Sequence, residues 1–245
     1  DGEVVATPGS YTGVYDGKPH GVDVTVTGLP EGYTVKAASS NATATDVTDE
    51  AGVTARVDNL VIVNAQGEDV TSKLKITKNT GTITVMTAIL MVTTPSATVQ
   101  YDGTALTAEG NIAGFANGET AGFATTGSQT AVGQSDNTYT IDWEAADATA
   151  KKSNYMILEK LGTLKVTPNT RSIVVTPKGG TKVYDGTPLE CAGIDVVAGL
   201  PEGFTLTAEV AGSVADAGFA KASIASYVIT NVAGDDVTDW FSNVE

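Results

Sequence analysis

The chain has 245 residues, with 14 Lys and Arg against 29 Asp and Glu, a formal net charge of −15. That balance excludes ordinary nucleic-acid binding, which needs cationic contacts to phosphate, and a single His with a single Cys removes most metal, dyad and triad chemistry and any intrachain disulfide. With 41% hydrophobic residues the chain can bury a core, yet no stretch reaches the roughly 18 uncharged apolar residues of a membrane span, and no basic-then-apolar signal peptide opens it.

In chain order, a run Val4-Val5-Ala6-Thr7-Pro8 is followed by Tyr15-Asp16-Gly17-Lys18-Pro19. Val22-Asp23-Val24-Thr25-Val26 then alternates apolar and polar residues, which places one set of side chains on each face of a strand. Gly28-Leu29-Pro30-Glu31-Gly32-Tyr33 reads as a type I turn, with Pro presetting φ at the second position and Gly at the fourth. Asp69-Val70-Thr71 reads as a capped helical turn. Leu74-Lys75-Ile76 and Gly81-Thr82-Ile83-Thr84-Val85 close the segment as strands.

The same order then repeats. Met91-Val92-Thr93-Thr94-Pro95 precedes Tyr101-Asp102-Gly103-Thr104-Ala105, a looser Gly114-Phe115-Ala116-Asn117-Gly118, the alternating Tyr139-Thr140-Ile141-Asp142-Trp143, Asp147-Ala148-Thr149 and the closing Gly162-Thr163-Leu164-Lys165-Val166. A third copy has Val174-Val175-Thr176-Pro177, Tyr184-Asp185-Gly186-Thr187-Pro188, Gly199-Leu200-Pro201-Glu202-Gly203-Phe204, Leu206-Thr207-Ala208-Glu209-Val210 and Asp236-Val237-Thr238, with no Gly-Thr-Ile/Leu closing run. Boundaries near Met86 and Pro168 give modules 1–86, 87–168 and 169–245. The missing strand has two readings: a chain cut short at a terminus, or a gap filled by a strand from another chain. In Tyr-Asp-Gly the Asp can bond the backbone ahead, the Gly can take positive φ, and the Tyr can cover a core edge while its hydroxyl finds a partner. Frequent Val and Thr, regular Gly and Pro punctuation and the lack of a three-turn amphipathic helix predict small antiparallel β-sandwiches.

Together the Tyr-Asp-Gly starts, the Gly-Leu-Pro-Glu-Gly turns, the Gly-Glu/Asp-Asp-Val-Thr segments and the Gly-Thr-Ile/Leu-x-Val closes resemble the YDG and MBG type repeats of large bacterial surface proteins. Asn154-Tyr155 followed by Gly162-Thr163-Leu164 is similar to the MBG variant. The resemblance implies an all-β chain of three tandem Ig-like antiparallel sandwiches in an elongated array, the third lacking its closing strand, in an extracellular, cell-surface adhesin without catalytic activity. The expected motif residues are Tyr15, Asp16, Gly17, Tyr101, Asp102, Gly103, Tyr184, Asp185 and Gly186, in structural roles.

No catalytic, cofactor or metal residues are expected. Asp235-Asp236 with Asp239, and Glu68-Asp69, could offer oxygens to Ca²⁺, but their spacing matches no calcium loop and they read better as solvated turns. His20 reads as a surface loop residue. Cys191 has only His20, in another module, as a basic partner, which argues against a Cys nucleophile. An isopeptide from Lys18, Lys36 or Lys182 to Asn or Asp is the alternative crosslink. Tyr33, Tyr139, Trp143, Tyr155, Phe204, Trp240 and Phe241 are expected in cores rather than on a stacking platform, with Trp240-Phe241 partly exposed beside the missing strand. The leading function is a structural stalk or spacer that presents a distal binding domain, with neighbouring modules of the same parent chain as partners. The alternative is binding of host glycan or protein through end loops, foremost Asn111 to Ser128 of the middle module, where the sequence diverges.

Overall fold

The computed structural model describes residues 2–245, and they are all-β: strands joined by turns, with only three-residue 3-10 helices among the described residues. Val4–Pro8, Gly81–Met86 and Ala88–Thr93 bury every second side chain, the period-two pattern of a pleated strand with one covered face.

Within residues 1–86, Val4–Pro8 lies between Val24–Thr27, antiparallel, and Ile76–Lys78, parallel. In a second sheet Gly81–Met86 lies between Tyr11–Val14, parallel, and Val53–Ala55, antiparallel. Within 87–168 the scheme recurs: Ala88–Thr93 between Asn111–Ala113 and a parallel Tyr155–Lys160, and Thr163–Thr167 between a parallel Ala97–Gln100 and an antiparallel Gly133–Asp136. Within 169–245 the sheets are two-stranded, Val174–Pro177 with Ile194–Ala198, Leu189–Glu190 with Ser213–Val214, and Thr205–Ala211 with Ser223–Thr230. The opening segment of this copy runs parallel to its end through the bridges Asn169 to Phe241 and Ile173 to Val244, with Ile173 N–H donating to Asn243 O, Glu245 N–H to Ile173 O and Val175 N–H to Glu245 O. Parallel neighbours cannot be joined by a tight hairpin; each pair here joins the start of a copy to its end.

By its internal contacts the chain forms two compact units, one of residues 2–93, Asn111–Ala124 and Thr140–Lys160, the other of Thr94–Gly110, Thr125–Tyr139 and Leu161–Glu245. The first holds two apolar clusters, one around Val4, Ile62 and Val70, the other around Tyr15, Ile83, Val85, Leu90 and Tyr155. The second is built on Tyr101, Val166, Ile173, Phe204, Ile229 and Phe241. Two of these three cores therefore draw side chains from either side of a repeat boundary.

Two local expectations shift. The turn after Leu29 sits one residue later than expected: Tyr33 N–H donates to Pro30 O (3.1 Å) and Gly32 has φ of 79°. A positive φ at the third position is what a type II turn requires and a type I turn does not use. Phe204 N–H to Pro201 O, with Gly203 at 79°, repeats it. His20 is not a loop residue; it lies in the strand His20–Gly21, its ring stacked on Tyr11 at 4.2 Å with Nε2 2.9 Å from Asp16 Oδ1, because the flat face of Tyr11 covers the ring while its edge keeps a polar partner.

Candidate functional site

The three Tyr-Asp-Gly motifs fold alike and differ in what covers them. Each Asp turns its carboxylate onto the backbone two residues ahead: Asp16 Oδ1 accepts Lys18 N–H (2.9 Å), Asp102 Oδ1 accepts Thr104 N–H (2.8 Å), and Asp185 Oδ1 accepts Thr187 N–H (2.9 Å). The glycines follow at φ of 74°, 85° and 79°, a region L side chains avoid. Hydrogen bonding holds these carboxyls below the usual 3.8: His20 first for Asp16, Thr104 for Asp102, and Lys182 and then Thr187 for Asp185, which falls to about 2.

Tyr15 is buried in the first unit. Its ring meets the edge of Tyr155 at 5.5 Å, and Tyr155 lies against Phe115 and Trp143. The carboxylate of Glu119 accepts both hydroxyls, Tyr15 on Oε1 and Tyr155 on Oε2, each at 2.5 Å, while Ala116 N–H donates to the Tyr155 oxygen (3.0 Å). Burial, and then the bond to Glu119, pushes Tyr15 up to about 12 and raises Tyr155 for the same two reasons. Alongside, fully buried Asn154 accepts Val47 N–H on Oδ1 and donates through Nδ2 to Asp46, which also takes Lys151 Nζ at 2.7 Å. The Lys151 and Asn154 bonds keep Asp46 ionised below its ordinary range. The Lys151 pair is about half exposed on both sides and contributes little by itself; the buried Asn154 contacts fix the geometry.

Tyr101 is buried in the second unit, ringed edge-on by Trp240 (4.6 Å), Phe204 (5.7 Å) and Phe241 (5.9 Å). Asn169 Nδ2 donates to the Tyr101 carbonyl at 2.8 Å. Edge-to-face packing aligns ring hydrogens with the electron-rich faces. Phe241 is buried rather than partly exposed, and Trp240 is half-buried on Tyr101, because the aromatic pair is spent on this socket.

The motif glycines share a second role. A Cβ on Gly17 would stand 2.6 Å from Asn117 Cβ, and one on Gly103 would stand 2.8 Å from the Phe204 ring. In both cases the neighbour belongs to the following copy of the repeat. Gly186 meets nothing within 4 Å, and Tyr184 is 62% exposed. The motif is thus a turn in every copy and, in the first two, also the seat of the next copy.

Sequence reasoning missed Glu119. It lies just past the divergent Gly-Phe-Ala-Asn-Gly run, where the 3-10 turn Ala116–Gly118 carries Asn117 at φ of 51°. The loss of Leu-Pro-Glu from that turn was the available signal. Four of the candidate Ca²⁺ carboxylates are engaged in turns: Asp69 on Thr71, Asp236 on Thr238, and Glu68 and Asp235 on Asn64 and Asn231. Asp147 serves through its carbonyl, which accepts the Thr120 hydroxyl. Cys191 is a free thiol whose Sγ lies 3.5 Å from Lys178 O. Among the described residues no three His, Cys, Asp or Glu side chains converge, and no helix is long and apolar enough to cross a membrane. No protein-family model matches the chain, and a search of curated proteins finds no match.

Proposed function

We propose that the chain is a load-bearing spacer: three Ig-like sandwich modules of a bacterial cell-surface, adhesin-like protein that hold a distal binding domain away from the cell. The observation that carries this reading is the parallel pairing of the opening and closing strands, Tyr11–Val14 with Gly81–Met86 and Ala97–Gln100 with Thr163–Thr167. Tension applied along the chain pulls such strands in opposite directions along their length, so all the ladder hydrogen bonds are loaded in shear together. A hairpin pulled at its open end would lose them one at a time. The covered Tyr15 and Tyr101 support the same reading, since each ties one copy to the next through a buried aromatic. Divergence of residues 111–128 also fits a spacer, because Phe115 and Glu119 in it serve the Tyr15 seat.

Single-molecule pulling on the full chain from its two ends tests this. Copies one and two are expected to give single-step ruptures at clearly higher force than the third, in which, among the described residues, the stretch before the motif tyrosine has no parallel partner strand and start and end meet through the backbone bonds of 169–175 with 240–245. Equal, low rupture forces for all three would sink the spacer reading. Specific binding of the folded chain on a glycan array would favour the loop-binding alternative.

A further inference from the structure

The third copy contains a groove shaped by the same segments that grip a closing strand in the other two. Gly180-Thr181-Lys182-Val183 stands immediately before Tyr184, as Tyr11–Val14 stands before Tyr15 and Ala97–Gln100 before Tyr101. Those two segments are strands with a parallel partner; residues 180–184 are in no strand, with Val183 89% exposed. Across from them Phe219 is 93% exposed, and between lies a groove of about 420 Å³ lined by Gly180, Lys182, Leu189, Cys191, Val214 and Phe219. Its floor is the strand pair Leu189–Glu190 and Ser213–Val214. In the first copy the corresponding pair, His20–Gly21 with Thr43–Ala44, contributes Ala44 to the core that covers Ile83 and Val85.

We propose that this groove is an acceptor for one extended strand of Gly-Thr-Ile/Leu-x-Val chemistry, added parallel to residues 180–184. Strand addition supplies main-chain hydrogen bonds for affinity and alternate side-chain pockets for specificity. The register follows from the two filled copies, which agree. Ile83 sits beside Tyr11 and Val85 beside Gly13; Leu164 sits beside Ala97 and Val166 beside Val99. Counted back from the motif Tyr, both place the Ile/Leu beside Gly180 and the Val beside Lys182. The residue after that Val lends its carbonyl to the motif tyrosine, Met86 O to Tyr15 N–H and Thr167 O to Tyr101 N–H, both at 2.8 Å. Tyr184 N–H has no partner among the described residues.

The occupant must begin with glycine. A Cβ on Gly81 would lie 1.9 Å from Gly9 O, and one on Gly162 would lie 2.2 Å from Pro95 C, so the backbone after the Thr-Pro pair comes too close for any side chain. Thr176-Pro177-Lys178 presents the same approach in the third copy.

Hydrogen exchange on the full chain tests the proposal, with a capped peptide of the 161–167 sequence, Leu-Gly-Thr-Leu-Lys-Val-Thr, as probe. The same seven residues tethered after Glu245 by a short Gly/Ser linker form a second arm, which raises the effective concentration to about millimolar. Amides of 180–184 and 219–222 are expected to slow about tenfold or more, with 11–14 and 97–100 unchanged. The version with Val in place of the peptide glycine is expected to give no protection in either arm. Unchanged exchange at 180–184 in the tethered chain, or equal protection by the Val version, would overturn the proposal. Protection that grows with protein concentration and without peptide would give the groove to a second copy of the chain and overturn the peptide strand as its occupant.

Discussion

A tyrosine in one motif does different physical work at each of its three occurrences. Tyr101 fills a socket of three aromatic rings and is 2% exposed, whereas Tyr184 is 62% exposed. Removing a buried aromatic loses its transfer free energy and leaves a cavity, so Tyr101→Ala should cost about 3–5 kcal/mol. Tyr184→Ala should stay within about 0.5 kcal/mol. Denaturant unfolding followed by Trp240 fluorescence measures both, since Trp240 touches the Tyr101 ring. The motif itself was legible in the sequence, as were its backbone turn and the need for glycine at positive φ, because Asp-Gly chemistry is local. That Tyr15 would share Glu119 with Tyr155 was not legible, because nothing in the neighbourhood of either residue specifies a partner a full repeat away.

Among the strands, the closing ones set the architecture. Gly81–Met86 and Thr163–Thr167 are each central in a three-stranded sheet and bury their Ile, Leu and Val side chains almost completely. Their first or preceding residue is a glycine pressed on the opposite backbone. Gly162→Ala forces a Cβ to within 2.4 Å of Ser96 N and 2.2 Å of Pro95 C, and should cost about 3 kcal/mol, at the upper end of overpacking effects. Gly179→Ala, whose Cβ meets nothing within 4 Å and whose φ is unremarkable, should change stability by less than about 0.5 kcal/mol. Thermal melts of the two variants against the parent chain check the contrast. Alternation of apolar and polar residues announced these strands. It did not announce that they run parallel to the strands at the start of the copy, since alternation is identical in parallel and antiparallel ladders.

At the scale of the whole molecule, ionisation sets a plateau of stability. Asp16, Asp46, Asp69, Asp102, Asp185 and Asp236 all have their carboxyls held below 3.8 by hydrogen bonds. The unfolded chain takes up these protons first, so their contribution is present above about pH 4 and is lost as pH falls through the folded values. Relief of repulsion within a chain of charge −15 acts the other way, but these turn carboxylates are bonded in the folded state only. Tyr15 and Tyr155 are shifted upward. The unfolded state gives up those protons near 10 while the folded state keeps them, so stability falls as pH rises from 10 through about 12. Melting temperature against pH should therefore be flat between roughly pH 5 and 9 and fall on both sides. In Glu119→Gln the Tyr15 titration should move down from about 12, and the alkaline fall, followed at Trp143, should be shallower than in the parent chain, because the gap between the folded and unfolded tyrosine values narrows.

The sequence by itself determined the turns, the strand character and the threefold recurrence of motifs, because φ preferences, Asx bonding and period-two patterning act between residues close in the chain. Only the tertiary structure decided which strands are neighbours, which motif tyrosines are covered and which stays open, and that cores draw on both sides of a repeat boundary. Those outcomes depend on pairing and packing between segments far apart in sequence, where the same Tyr-Asp-Gly triplet is compatible with a filled seat or an open one.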